Sequence, residues 1–164
     1  MKNTFIFITL VTLTIIVARC TGSSGTDSAS KASVVNDLPF LNVMKTSGEP
    51  ISLREVPSKS ILIFFNPDCD HCQREAQQIS AQKSLFKNYS VYFISIDPMD
   101  KIQQFALDYK LTDRNFFFAQ ADSYEVYKTV GPLPTVPAIF IYANRQFVKK
   151  LEGEVKLEEV MKYL

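Results

Sequence analysis

Ile61-Leu62-Ile63-Phe64-Phe65-Asn66-Pro67-Asp68-Cys69-Asp70-His71-Cys72 is the stretch on which the reading of this chain turns. It opens with an unbroken apolar run, Ile61 to Phe65, which Asn66-Pro67 ends. Such a run suits a strand buried on both faces, as in a sheet with parallel pairing; a strand with one wet side would alternate. The strand leads straight into two cysteines separated by two residues. Beyond them Ala76, Ile79 and Phe86 fall at helical spacing among Gln, Lys and Arg, which predicts a helix over 70–86.

On the N-terminal side, Phe40 to Val43, a turn at Thr46 to Pro50 and Ile51 to Leu53 read as a hairpin. On the C-terminal side strand and helix alternate, the mark of an α/β domain. Val91 to Ile96 is a strand, and Asp97-Pro98 turns it into a helix carrying Ile102, Phe105, Ala106 and Tyr109. A short extended piece follows at Phe116 to Ala119, then a brief helix around Tyr124 to Lys128. Pro132, Pro134 and Pro137 precede a strand over Ala138 to Tyr142, Asn144-Arg145 turns into Phe147 to Leu151, and Leu157 to Leu164 closes as a helix. No internal repeat occurs.

The chain has 164 residues, 46% of them hydrophobic, and a formal net charge of +1. That composition fits one globular domain. Charges of both signs are spread along it, so there is no electrostatic footprint for nucleic acid and no polybasic patch for lipid headgroups. Residues 1–20 read as a secretory signal: Lys2, then an apolar and threonine-containing stretch from Phe5 to Val17, then Ala18. About 13 residues is short of the roughly 20 that a spanning helix needs. Val17-Ala18-Arg19-Cys20 resembles the lipobox of bacterial lipoproteins, which implies lipidation at Cys20; Arg19 departs from that pattern. Residues 21–36, rich in Ser, Gly and Thr at their start, read as a flexible tether, and 37–164 as the folded domain. The alternatives are a secreted protein with an idle Cys20, or an uncleaved signal anchor. All of them place the domain outside the cytoplasm.

Two cysteines at this spacing put both sulfurs at the first turn of a helix, close enough for a small disulfide ring to open and close. A sulfur at the helix N-terminus faces unpaired N–H groups and the positive end of the dipole, which favour a thiolate. Cys69 is therefore the expected nucleophile. Cys72, inside the turn, is the expected resolving thiol that releases a bound substrate. A closed zinc site needs four ligands, and only His71 and Cys20 remain to join the pair. A copper relay lacks a distant histidine. A static disulfide across so short a loop restrains little of the unfolded chain. Strand, C-x-x-C and helix in succession is a redox context, with no metal or organic cofactor implied.

Across 40–164 the sequence resembles the thioredoxin superfamily, and in particular its extracytoplasmic TlpA- and ResA-like branch. The features that carry the resemblance are the N-terminal hairpin, Ile61 to Phe65 before Cys69-Asp70-His71-Cys72, Glu75 beyond the motif, and Thr135-Val136-Pro137 before a strand. The resemblance implies a thioredoxin-like α/β fold, a central mixed sheet flanked by helices with the β-hairpin at its start. It implies that Glu75 is an acid beside the buried thiol, and helix spacing would let it pass a proton to Cys72. It implies a cis bond at Pro137, with Val136 offering backbone groups to an extended substrate. The tryptophan common before the first cysteine is Asp68 here, and the buried aspartate of cytoplasmic thioredoxins falls on Ile63, leaving Glu75 to substitute. A protonated His71 would favour a thiolate at Cys69, while Asp68 and Asp70 oppose it. The plainer alternatives are a solvated glutamate at 75, an exposed helix-start histidine at 71 and a turn proline at 137.

The function this reading predicts is thiol-disulfide exchange in envelope proteins, most simply as a periplasm-facing, lipid-anchored reductase fed by a membrane thiol reductant. Apocytochrome is a candidate substrate by family inference. Two alternatives belong to other classes. A peroxiredoxin-like peroxidase would require proline at Leu62 and threonine or serine at Asn66, and a non-catalytic binding module would tolerate loss of Cys69.

Overall fold

In the computed structural model the described residues are 36–133 and 135–164. The signal segment, Cys20, nearly all of the tether and Pro134 lie outside them. The strand that leads into the cysteines is β3 (Ser60–Phe64), an interior strand every residue of which is buried. Its side chains alternate between two cores. Ile61 and Ile63, with Phe65 just beyond, join one; Leu62 and Phe64 join the other. This is the physical content of an unbroken apolar run: a strand without a wet face has no use for polar alternation.

Seven strands form one mixed sheet. In chain order they are β1 (Asn42–Lys45), β2 (Pro50–Ser52), β3, β4 (Ser90–Ser95), β5 (Phe116–Ala121), β6 (Ala138–Ala143) and β7 (Gln146–Glu152). In space the order is β2-β1-β5-β4-β3-β6-β7. The β3, β4 and β5 ladder is parallel; β6 joins β3 antiparallel, and the β1–β2 hairpin caps the β5 edge. Helices α1 (Asp70–Ala81), α2 (Met99–Asp108) and α4 (Leu157–Met161) share the core of Ile61 and Ile63 through Ile79, Ile102, Phe105 and Val160. Helix α3 (Ser123–Val130) packs on the opposite face through Val126. Both parallel crossovers step the same way along the sheet and so lie on one face, as a common handedness requires.

Aromatic packing stiffens the first core. Phe93 stacks on Phe118 at 4.7 Å between centroids, and Phe65 meets Phe105 at 4.6 Å. Helix α3 starts at Asp122, whose Oδ1 accepts from the N–H groups of Tyr124 at 2.9 Å and Glu125 at 3.0 Å. Asp122→Ala is expected to lower stability by about 1 kcal/mol, read as the shift in a urea unfolding midpoint. An unchanged midpoint would show that this cap contributes nothing.

Several expected boundaries move, most of them by one or two residues. The helix predicted over 70–86 ends at Ala81: Gln82 leaves helical geometry at φ −132°, and a 3-10 turn over Lys83–Phe86 follows. That tighter turn keeps Phe86 buried against Phe116 while bringing the chain round to β4. The last helix stops at Met161, and bonds from the N–H of Tyr163 to Val160 and of Leu164 to Met161 tighten the frayed chain end. The strand predicted to reach Ile96 ends at Ser95, with Ile96 exposed. The hairpin begins at Asn42, not Phe40; the Phe40 ring is exposed and lies 4.0 Å from the Arg54 guanidinium.

Candidate active site

Strand β3 delivers its last residue to the edge where α1 begins. Asn66 Oδ1 accepts from Asp68 N–H at 2.7 Å, and Asn66 O accepts from Cys69 N–H at 3.1 Å, so the loop turns tightly into the helix. Cys69 is the N-cap, its φ and ψ at −90° and 119°, and its carbonyl takes the first helical bond from Gln73. The Cys69 side chain is partly exposed and Cys72, one turn in, is 2% exposed. Both are free thiols. The two positions differ because Cys69 precedes the helix, whereas Cys72 points with Ala76 and Ile79 into the first core.

The antiparallel register explains what faces Cys69. Phe64 pairs with Ala138, so the residues just before β6 lie opposite those just after β3. The Cys69 thiol accordingly donates to the Val136 carbonyl at 3.8 Å, and the Val136–Pro137 peptide is cis. A groove of about 300 Å³ opens beside these loops, lined by Phe65, Asn66, Ile96, Tyr127, Leu133 and Val136.

Glu75 is 1% exposed among apolar neighbours. Burial pushes its carboxyl up to about 7, and the nearby Glu154 carboxylate adds to this; a hydrogen bond from Val155 N–H, 3.1 Å from Oε2, works the other way. Its other oxygen, Oε1, is buried with no hydrogen-bond partner. Burial likewise pushes the Cys72 thiol up to about 12, with smaller raising contributions from Cys69 and Glu75. Glu75 lies one turn beyond Cys72 on the same helix, so a buried carboxyl and a buried thiol share one side of α1.

The charges expected to set the thiolate find other partners. Asp68 pairs with Lys101 of α2 at 2.5 Å. His71 Nδ1 lies 3.0 Å from Glu154 Oε2, which also accepts from Arg74 Nε at 2.8 Å. Asp70 occupies the first turn of α1. Glu154, Arg74, Lys101 and Val155 are thus site residues that the sequence reading passed over. Arg74 sits three residues after His71 on one helix face, a signal that was there to be used. Glu154 and Lys101 carry no local signal, because their partners come from distant elements.

A family model described as AhpC/TSA matches residues 34–151. The chain belongs to the AhpC/TSA family. Solved structures agree on the fold of this AhpC/TSA member. A secreted Mycobacterium tuberculosis disulfide oxidoreductase homologous to E. coli DsbE is 18% identical, with TM-score 0.64, covering 76% of this chain and 93% of that one. Mycobacterium tuberculosis dsbF is 17% identical, with TM-score 0.65 and coverage of 76% and 92%. StoA from Bacillus subtilis is 20% identical, with TM-score 0.59 and coverage of 79% and 98%. At these identities the likeness establishes the thioredoxin-like α/β fold. Comparison with curated protein sequences gave no match.

Proposed function

We propose that this AhpC/TSA-family protein is a thiol-disulfide oxidoreductase that reduces disulfides of envelope proteins through Cys69 and Cys72. The observation that carries the reading is the unequal burial of the two thiols: Cys69 accessible at the helix cap, Cys72 at 2% exposure with Glu75 buried beside it. The Cys69 thiolate attacks one sulfur of the substrate disulfide; that S–S bond breaks, a Cys69–substrate bond forms, and the departing sulfur takes a proton. Cys72 gives its proton to the Glu75 carboxylate and attacks Cys69 Sγ; the Cys69–substrate bond breaks, and the second substrate sulfur leaves as a thiolate that takes its proton from water. The substrate gains two electrons and the pair becomes a disulfide. A membrane thiol reductant must then return them.

The direction is supported by Cys72. A thiol pushed up to about 12 is a poor leaving group from a disulfide, which resists reduction of the pair and makes the dithiol a donor. The cis Val136–Pro137 loop and the apolar groove offer an extended substrate segment a backbone partner and a bed. Lipid attachment at Cys20 would hold the domain against an envelope membrane, and an apocytochrome would be one suitable substrate.

The deciding experiment is reduction of insulin disulfides, with the potential of the pair measured alongside. Reductase activity and a potential near thioredoxin's, about −270 mV, are expected. A value near DsbA's, about −120 mV, would make the protein an oxidant instead. Hydrogen peroxide consumption sensitive to Cys69→Ser but not Cys72→Ala would overturn the proposal in favour of a peroxidase.

A further inference from the structure

Three consecutive residues between β7 and α4 touch three separate parts of the site. Gly153 N–H donates to Pro137 O at 2.8 Å, beside the carbonyl that faces Cys69. Glu154 engages His71 and Arg74 on α1. Val155 N–H donates to Glu75 Oε2. Gly153 makes the sequence of contacts feasible: its φ of +77° turns the chain out of β7 in a conformation that side-chain-bearing residues rarely adopt.

Among the described residues, the Val155 N–H is the hydrogen-bond donor that Glu75 has; Oε1 has none. Burial raises the carboxyl most, and the position of that N–H sets how far the effect is offset. The segment is tied to the sheet by Gly153 and runs into α4 at buried Leu157; it meets α1, the helix that carries Glu75, through Glu154 as well as through the Val155 bond itself. Arg74 Nε holds Glu154 in either state of the imidazole. His71 Nδ1, which faces both Glu154 Oε2 and an Arg74 nitrogen at 2.8 Å, adds its bond to Glu154 when it carries a proton.

We infer that Glu154 is a positioning residue for the buried acid: clamped by Arg74 and His71, it keeps the 153–155 segment against α1 and so keeps the Val155 N–H on Glu75. The value of this device for turnover rests on the reading of Glu75 as the proton carrier. Its geometry does not. The titratable groups near Glu75 are Cys72 and Cys69 on its own helix and Glu154 on the strap; His71 and Arg74 act through Glu154, and Lys156, the next residue along the strap, is exposed. The Val136–Pro137 loop brings no charge.

Glu154 acts on Glu75 in two ways of opposite sign, and this makes the inference decidable. Its carboxylate repels a second negative charge, whereas its clamp supplies the donor that stabilises one. The test is carboxyl 13C NMR titration of Glu75 in the reduced full-length protein, with the resonance assigned from Glu75→Gln. Glu154→Ala is expected to raise the Glu75 midpoint by about one pH unit, the loss of one hydrogen bond to a charged group. Glu154→Gln keeps an oxygen for Arg74 Nε while removing the charge, so its midpoint stays at or below that of the parent protein. A midpoint in Glu154→Ala no higher than that in Glu154→Gln overturns the inference, because loss of the charge then accounts for the whole effect. Insulin reduction is measured on the same samples. Failure there in the parent protein sinks the proposed function, while the titration still decides the role of Glu154.

Discussion

Cys72→Ala is expected to stop turnover and accumulate the protein as a mixed disulfide between Cys69 and its substrate. The first attack needs only the accessible sulfur at the helix cap. Release needs the second. Well-oriented intramolecular groups act at effective molarities on the order of 10⁵ M or more, so a millimolar external thiol is no substitute for Cys72. Alanine is the better replacement because Cys72 is 2% exposed in an apolar core, where a serine hydroxyl would be buried without a partner. Non-reducing electrophoresis and mass spectrometry read the trapped species. Turnover equal to that of the parent protein would show that release does not run through Cys72, and equal trapping by Cys69→Ser would reverse the assignment of the two roles.

The second large effect is on stability. Glu75 binds its proton more tightly folded, at about 7, than at its ordinary value of 4.5. Between those values the folded state holds a proton that the unfolded chain has lost, so stability falls as pH rises. Its contribution is fully present below about 4.5 and is lost as pH passes through 7. The size of the loss is on the order of 3 kcal/mol. Cys72, shifted the same way from 9.0 to about 12, repeats the effect only in the alkaline range. Urea unfolding of the reduced protein at pH 5 and pH 8.5 should therefore show a marked drop, and Glu75→Gln should flatten it. If the parent protein were equally stable at both values, the buried carboxyl would have an ordinary affinity for its proton and could not serve Cys72 near neutral pH.

What the sequence made legible is what neighbours in the chain decide. Ile61 to Phe65 announced a strand without a wet face because both of its sides are core, and Cys69 at a helix start followed from Asn66-Pro67 closing that strand. Element ends were harder. Phe86 keeps the helical face of Ile79 in sequence, yet a 3-10 turn puts it there, and spacing alone does not distinguish the two. The electrostatics of the site were the least legible part. Sequence sets Asp68 against and a protonated His71 for a thiolate at Cys69, but it does not show that each is engaged by a residue from another element, Lys101 and Glu154. Glu75 could be placed beside Cys72 from helix geometry; its hydrogen bond comes from Val155, 80 residues further along the chain.

The strand order also gives the site a place in time. Cys69 and Cys72 follow β3, but the groups that shield and serve them, Val136 and Val155, flank β6 and β7 near the end of the chain. A chain emerging amino end first therefore presents both cysteines before the surface that covers them exists, and the pair acquires its unequal burial only when β6 closes against β3 and β7 against β6. Immature chains are consequently the form most open to wrong disulfides with their neighbours.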